Sequence, residues 1–290
     1  PPTMSKPQLI NTVAKMQAQS DTWRGEGLRI GLVPTMGFLH EGHLSLVDYS
    51  LSTADRTIVS IFVNPLQFGP KEDFTIYPRD IERDIKLLAQ RGVDAVFKPQ
   101  TAEFYPPDFS TTVEVTQLTD GLCGAIRPGH FRGVTTVVSK LFTATKPHLA
   151  VFGQKDYQQS AVIRRLVRDL NLDLRIEIAP TMREADGLAM SSRNVNLTED
   201  ERRRVPALYQ ALEIAKRYIE RGEPDTQRII GEMRRHIEKE VGGDIEYISI
   251  VHPDTLEDLS QIAGPVVIAL AVRLANVRLI DNISAEPSSK

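Results

Sequence analysis

A chain of 290 residues is long enough for one large domain or two ordinary ones, and 41% hydrophobic against 25% charged residues is the balance of a folded globular protein rather than a disordered or fibrous one. A net charge of −3 leaves no overall basic field for a nucleic-acid backbone, so any polyanion must be bound locally. The single cysteine, Cys123, excludes an internal disulfide and a four-cysteine zinc cluster, as a reducing compartment would allow.

The opening PPTMSKPQLINTVAKM has no basic segment followed by an apolar run, and no apolar stretch reaches the roughly 18 residues of a membrane span. The expected compartment is the cytoplasm, with no membrane partner. Leu9, Val13 and Met16 recur at helical spacing after Ser5 and Pro7, which predicts an amphipathic helix beginning there. Buried strands are predicted at 28–35, 56–63, 94–99, 148–153 and 174–180, and helices between them at 43–54, 78–92, 133–145 and 155–171. Near-continuous apolar strands alternating with amphipathic helices imply βαβ units, hence an α/β fold with a doubly wound parallel sheet. DGLCGAIRPG reads as a loop around an inert Cys123. After residue 181 the texture changes to charged helices followed by the strand-like IEYISIV, PVVIALAV and VRLIDNI. The division is therefore 1–181, a Rossmann-like domain, and 182–290, a smaller α+β domain. EDERRR, after Thr198, reads as a capped first helical turn, and AEPSSK as a tail.

In a doubly wound sheet ligands bind beyond the carboxyl ends of the strands, so the loops leaving them carry the chemistry. The first, PTMGFLHEGH, places two glycines and two histidines on one strand-to-helix turn. HEGH lacks the i, i+4 histidine pair of a zinc helix, and a single histidine bonding a buried carbonyl would not need Gly37 and Gly42. Phosphate binding fits better, because glycines let backbone N–H groups approach an anion at a helix N-terminus while His40 and His43 supply directed donors. Neither a Walker A loop nor a GxGxxG fingerprint is present.

HEGH resembles the HxGH signature of nucleotidyltransferases and class I aminoacyl-tRNA synthetases, and MSSRN (190–194) stands where those enzymes carry a mobile KMSKS-like loop. VPTMGFLHEGH, SIFVNPLQF, YPR, RPGHFRGV, FGQKDYQQ and DGLAMSSRN, in that order, together resemble the pantoate–β-alanine ligase family over about residues 30–195, and DNI near the end is also similar. The resemblance implies an HxGH-type Rossmann-like fold, a C-terminal lid, a cytoplasmic homodimer, and an AMP-forming ligase using ATP and Mg²⁺ to join pantoate to β-alanine. It implies an ATP site of Pro34, Thr35, Met36, Gly37, Phe38, Leu39, His40, Glu41, Gly42, His43, Gly153, Gln154, Lys155, Asp156, Met182, Met190, Ser191, Ser192 and Arg193. Catalytic roles fall to His43, His40, Lys155, Ser191, Ser192 and Arg193. Pantoate and β-alanine would meet Met36, Asn64, Gln67, His130, Val134, Val137, Val138 and Gln159. His130 is a loop histidine, exposed by default, on the amine-entry side. Mg²⁺ is assigned to ATP phosphates rather than to protein carboxylates such as Asp84, so no protein metal ligand is expected. The rival readings are a nucleotidyltransferase that stops at AMP or CMP transfer and a nucleotide-binding regulatory module.

Overall fold

The computed structural model describes residues 5–288. In chain order its elements begin β1 (Gln8–Ile10), α1 (Val13–Gly25), β2 (Ile30–Thr35), α2 (Glu41–Thr53), β3 (Arg56–Ile61), α3 (Ile81–Arg91), β4 (Ala95–Phe97), α4 (Thr101–Phe104) and α5 (Leu122–Ile126). They continue α6 (His130–Thr145), β5 (Leu149–Gly153), α7 (Tyr157–Asp169), β6 (Arg175–Ala179), α8 (Glu199–Arg204), α9 (Ala207–Glu220), α10 (Thr226–Glu240), β7 (Asp244–Val251), β8 (Val266–Leu274) and β9 (Val277–Ala285). One compact unit takes the chain up to Val115 with Arg127–Gln154 and Gln159–Pro180; the other takes Thr116–Ile126, Lys155–Gln158 and the chain from Thr181 on.

The first unit is the doubly wound α/β sheet that the sequence predicts: six parallel strands in the order β1-β4-β3-β2-β5-β6. Helices cover both faces, which is why IGLVPT and RTIVSI are buried almost throughout instead of alternating. Val33, Val47, Val59, Leu88, Val96 and Val151 form its core. From β2 the chain winds outward through β3 and β4, then returns to the other side of β2 for β5 and β6. The order thus reverses between β2 and β5, and the crevice of such a sheet opens at that point, beyond the strand ends at Thr35 and Gly153.

The N-terminal expectation needs correction. Leu9 lies in β1, a three-residue edge strand paired with β4, and the helix begins only after Thr12, whose hydroxyl accepts the Lys15 N–H. Residues 1–4 of the stretch quoted for that helix lie outside the described residues.

The second unit contains an antiparallel β7-β8-β9 sheet, with α9 against β9 and α10 against β7. Ala211, Leu212, Ile229, Met233, Ile268 and Leu270 fill its core. Thr198 and Glu201 close a reciprocal capping box at the start of α8, as the early acids of EDERRR predict. Cys123 is not in a loop: it sits in α5, buried, with its Sγ 3.2 Å from the Tyr247 hydroxyl. Of the expected tail AEPSSK, Ala285 instead closes β9, and Ser289 and Lys290 lie outside the described residues.

Candidate active site

The turn after β2 is held from behind. The Thr35 hydroxyl donates to the Ser60 carbonyl (2.8 Å) and accepts the Gly37 N–H (3.1 Å). Gly37 has φ 80°, and a Cβ there would stand 3.0 Å from Ile61 and 3.1 Å from the Asp84 carboxylate, so only glycine fits. Phe38 follows at φ 50°, a conformation whose strain its surroundings must offset. The compensation comes from Asp84 of α3, whose two carboxylate oxygens accept the Phe38 and Leu39 N–H groups at 2.8 Å each. Burial pushes the Asp84 carboxyl up from its ordinary range, and those two N–H groups pull it back. Arg83 donates to the Leu39 carbonyl (2.9 Å) and lies over the Phe38 ring.

Against that backing the two histidines occupy defined places. His40 is the N-cap of α2 and its Nδ1 accepts the Gly42 N–H at 3.0 Å; His43, three residues on, accepts the His40 N–H through its own Nδ1 at 3.2 Å. An Nδ1 that accepts a backbone proton puts the ring proton on Nε2, so both imidazoles are directed N–H donors. Their rings lie 4.0 Å apart, centroid to centroid. Glu41, in contrast, points its carboxylate to Arg91 at the surface (3.3 Å), leaving the turn its backbone only.

A second cluster forms around Gln67. Asn64, 1% exposed, donates to the Gln67 Oε1 (3.0 Å) and to the Gly133 carbonyl (3.0 Å) and accepts from the Tyr105 hydroxyl (2.8 Å). The Gln67 Nε2 then lies 3.6 Å from the Met36 sulfur, which joins this cluster to the histidine turn. His130 is buried, not exposed: it opens α6, three residues earlier than the sequence predicts, and its Nδ1 lies 2.9 Å from the Gln67 carbonyl. Arg127 reaches the same carbonyl and makes a two-pronged pair with Glu72. Burial pushes the Glu72 carboxyl up, but the Arg127 hydrogen bonds and charge overcome it and hold it at about 2. Gln67, Glu72, Arg127, His130 and Thr136 line a cavity of roughly 280 Å³. Val134, Val137 and Val138 follow on α6, all buried.

This arrangement has close counterparts. The model of the Pantoate-beta-alanine ligase family matches residues 8–284. The chain belongs to the pantoate–β-alanine ligase family. It is 56% identical over 278 residues to the pantothenate synthetase of Caldicellulosiruptor saccharolyticus, covering 96% of this chain and 99% of that one. With the enzyme of Thermotoga petrophila it shares 52% over 275 residues, 95% and 98% of the two chains. The pantothenate synthetase structure from Thermus thermophilus superposes with a TM-score of 0.91 at 42% identity, covering 97% of this chain and all of that one. The Francisella tularensis pantoate–β-alanine ligase, solved with β,γ-ATP and β-alanine, gives 0.79 at 33% identity, 96% and 97% covered.

Pantoate–β-alanine ligase motifs also organise the second unit. Gly153 ends β5 and Gln154–Asp156 form a 3-10 turn; from there Lys155, Ser191 and Asp281 line one small cleft. MSSRN is not an irregular loop: Ser191 caps a 3-10 turn over Ser192–Asn196, Ser192 is buried, and Met190 N–H donates to the Met182 carbonyl (3.0 Å). The DNI motif explains itself here. Asp281 takes both prongs of Arg183 (2.6 and 3.0 Å), whose guanidinium stacks on Tyr209, and the Asn282 amide donates to the Lys155 carbonyl (2.8 Å). Of the adjacent glutamines, the Gln158 side chain bonds the backbone at Leu118, Gly121 and Cys123, whereas the Gln159 side chain makes no hydrogen bond to another described residue. Asp84, Tyr105, Arg127, Glu72, Arg183 and the DNI pair hold these positions without having been assigned to the site from the sequence. The signals present were the YPR-to-Asp84 spacing, the arginine of RPGH and the DNI motif itself.

Proposed function

We propose that this chain joins (R)-pantoate to β-alanine, forming pantothenate with release of AMP and pyrophosphate, and that the histidine turn and the Gln67 cluster carry out the first step. The reaction follows from family membership over nearly the whole chain and from relatives at 50–56% identity named pantothenate synthetase. One observation supports the residue roles above the others: Met36 of the nucleotide turn meets the Gln67 amide, so an ATP site and a carboxylate site would adjoin.

A pantoate carboxylate oxygen attacks the α-phosphorus in line, and the bond to the bridging oxygen breaks as pyrophosphate leaves. The Nε2–H groups of His40 and His43, with the α2 N-terminus, stabilise the charge that develops. Lys155 and Arg193 balance phosphate charge, Ser191 and Ser192 donate to it, and Asp156 accepts from the ribose. The β-alanine amine then attacks the adenylate carbonyl, the bond to AMP breaks, and the amine proton is lost. Gln67 and Gln159 orient pantoate, Val134, Val137 and Val138 receive its gem-dimethyl group, and His130 supports Gln67. ATP enters as its Mg²⁺ complex, because Mg²⁺ keeps several waters and prefers phosphate oxygens, and both Asp84 oxygens are already engaged by the turn. The same reading has residues 182–290 close over the nucleotide in a homodimer, and its dependence on ATP favours the cytoplasm.

Supplying ATP, Mg²⁺, pantoate and β-alanine tests this. AMP and pantothenate should appear in equal amounts and only with all components. AMP transfer to a phosphorylated acceptor, or nucleotide binding without turnover, would sink it.

A further inference from the structure

Gln67 is an amide, and an amide can present either its oxygen or its NH₂ to a ligand; its orientation decides what it recognises. Here the orientation is traceable atom by atom. The Gly133 carbonyl can only accept and the Leu66 N–H can only donate, so Asn64 must turn its Nδ2 to Gly133 and its Oδ1 to Leu66. The Tyr105 hydroxyl, 2.8 Å from that Oδ1, is therefore the donor. The remaining Asn64 proton goes to Gln67, whose Oε1 must accept it (3.0 Å), and this turns the Gln67 Nε2 toward Met36.

Tyr105 is itself held. Lys140 of α6 places its Nζ 5.0 Å from the Phe104 ring, 4.9 Å from Phe109 and 5.7 Å from Tyr105, and the Tyr105 and Phe109 rings meet edge to face at 5.0 Å. Burial pushes the Tyr105 phenol up, so the proton it donates stays in place.

We infer that Tyr105 is a positioning residue for the acid substrate: through Asn64 it locks Gln67 as an N–H donor, so the site selects an oxygen acceptor, carboxylate or hydroxyl, at the position beside Met36. Without the phenolic hydroxyl, Asn64 keeps its orientation through Gly133 and the longer Leu66 contact (3.4 Å) but loses the stronger of the two donors to its Oδ1, so the amide that aims Gln67 is held less firmly. This inference rests on the pantoate-binding role given to Gln67.

The experiment is steady-state kinetics of Tyr105→Phe, Gln67→Ala and the double variant in the full-length enzyme. Tyr105→Phe should raise the KM for pantoate roughly fivefold, the effect of one lost hydrogen bond, and leave those for ATP and β-alanine within about twofold. In the Gln67→Ala background it should add nothing, which a merely structural tyrosine would not do. An unchanged pantoate KM in Tyr105→Phe, an equal rise for all three substrates, or the same factor with and without Gln67 would overturn the positioning role. A Gln67→Ala enzyme with wild-type pantoate KM would instead remove the reading beneath it.

Discussion

The Nδ1 of His43 accepts the backbone N–H of the N-cap residue His40 at 3.2 Å, so the side chain that completes the cap of α2 is also the one proposed to act on the phosphates. His43→Ala should slow adenylate formation on the order of 100-fold or more, while the lost cap lowers stability by only about 1 kcal/mol. Single-turnover pyrophosphate release and a denaturation curve separate the two effects; release within twofold of wild type would show that His43 does not act on the phosphates.

Asp84 holds the same turn from outside the site. Asp84→Ala leaves the Phe38 and Leu39 N–H groups without their acceptors and should cost on the order of 2–3 kcal/mol, with a raised KM for ATP. Asp84→Asn, which keeps one acceptor oxygen, should fall between. Urea unfolding and nucleotide titration of both variants give the check.

Gly133 is where α6 crosses the 65–67 turn. A Cβ there would run into the Leu66 carbonyl oxygen and stand 2.6 Å from the Gln67 nitrogen, all backbone, so Gly133→Ala must push the helix off the turn. The expected result is a loss of roughly 1–3 kcal/mol and a higher pantoate KM. Wild-type values for both would mean that the crossing yields without cost.

The Glu72–Arg127 pair gives a pH signature. The Glu72 carboxyl is lowered from 4.5 to about 2 on folding, so its contribution is present above the ordinary carboxylate range and is lost as pH falls from there toward 2. Glu72→Gln should therefore cost at most about 3 kcal/mol near neutrality, and the gap from wild type should shrink below pH 4.5. Thermal midpoints of the two proteins between pH 7 and 3 test this; a gap that is constant with pH would contradict it.

In the second unit, the buried Asp281 takes both prongs of Arg183, which is itself only partly exposed. Asp281→Ala strands the guanidinium and should destabilise the unit by about 3–5 kcal/mol. Removing both charges with Asp281→Leu and Arg183→Met should recover much of that loss, which calorimetry of the single and double variants would reveal.

The buried strands were legible because a parallel sheet covered on both faces demands uninterrupted apolar runs, and the strands at 30–35 and 56–61 have them. The edge strand 8–10 was not: three residues carry no period, and its Leu9 happened to continue the helical spacing of Val13 and Met16. His130 read as exposed because RPGH looks like a turn, and its burial depends on a carbonyl 63 residues away. Cys123 was misread likewise, its partner Tyr247 lying 124 residues on.

The sequence by itself determined the α/β class, the histidine turn at a strand end and the family, since each is written in local spacing or in ordered motifs. Only the tertiary structure decided which end of its amide Gln67 presents beside Met36 and what restrains the strained turn at Phe38. Those are questions of hydrogen-bond direction, and the partners that answer them, Tyr105 and Gly133 for Asn64 and Asp84 for Phe38, are 41, 69 and 46 residues distant along the chain.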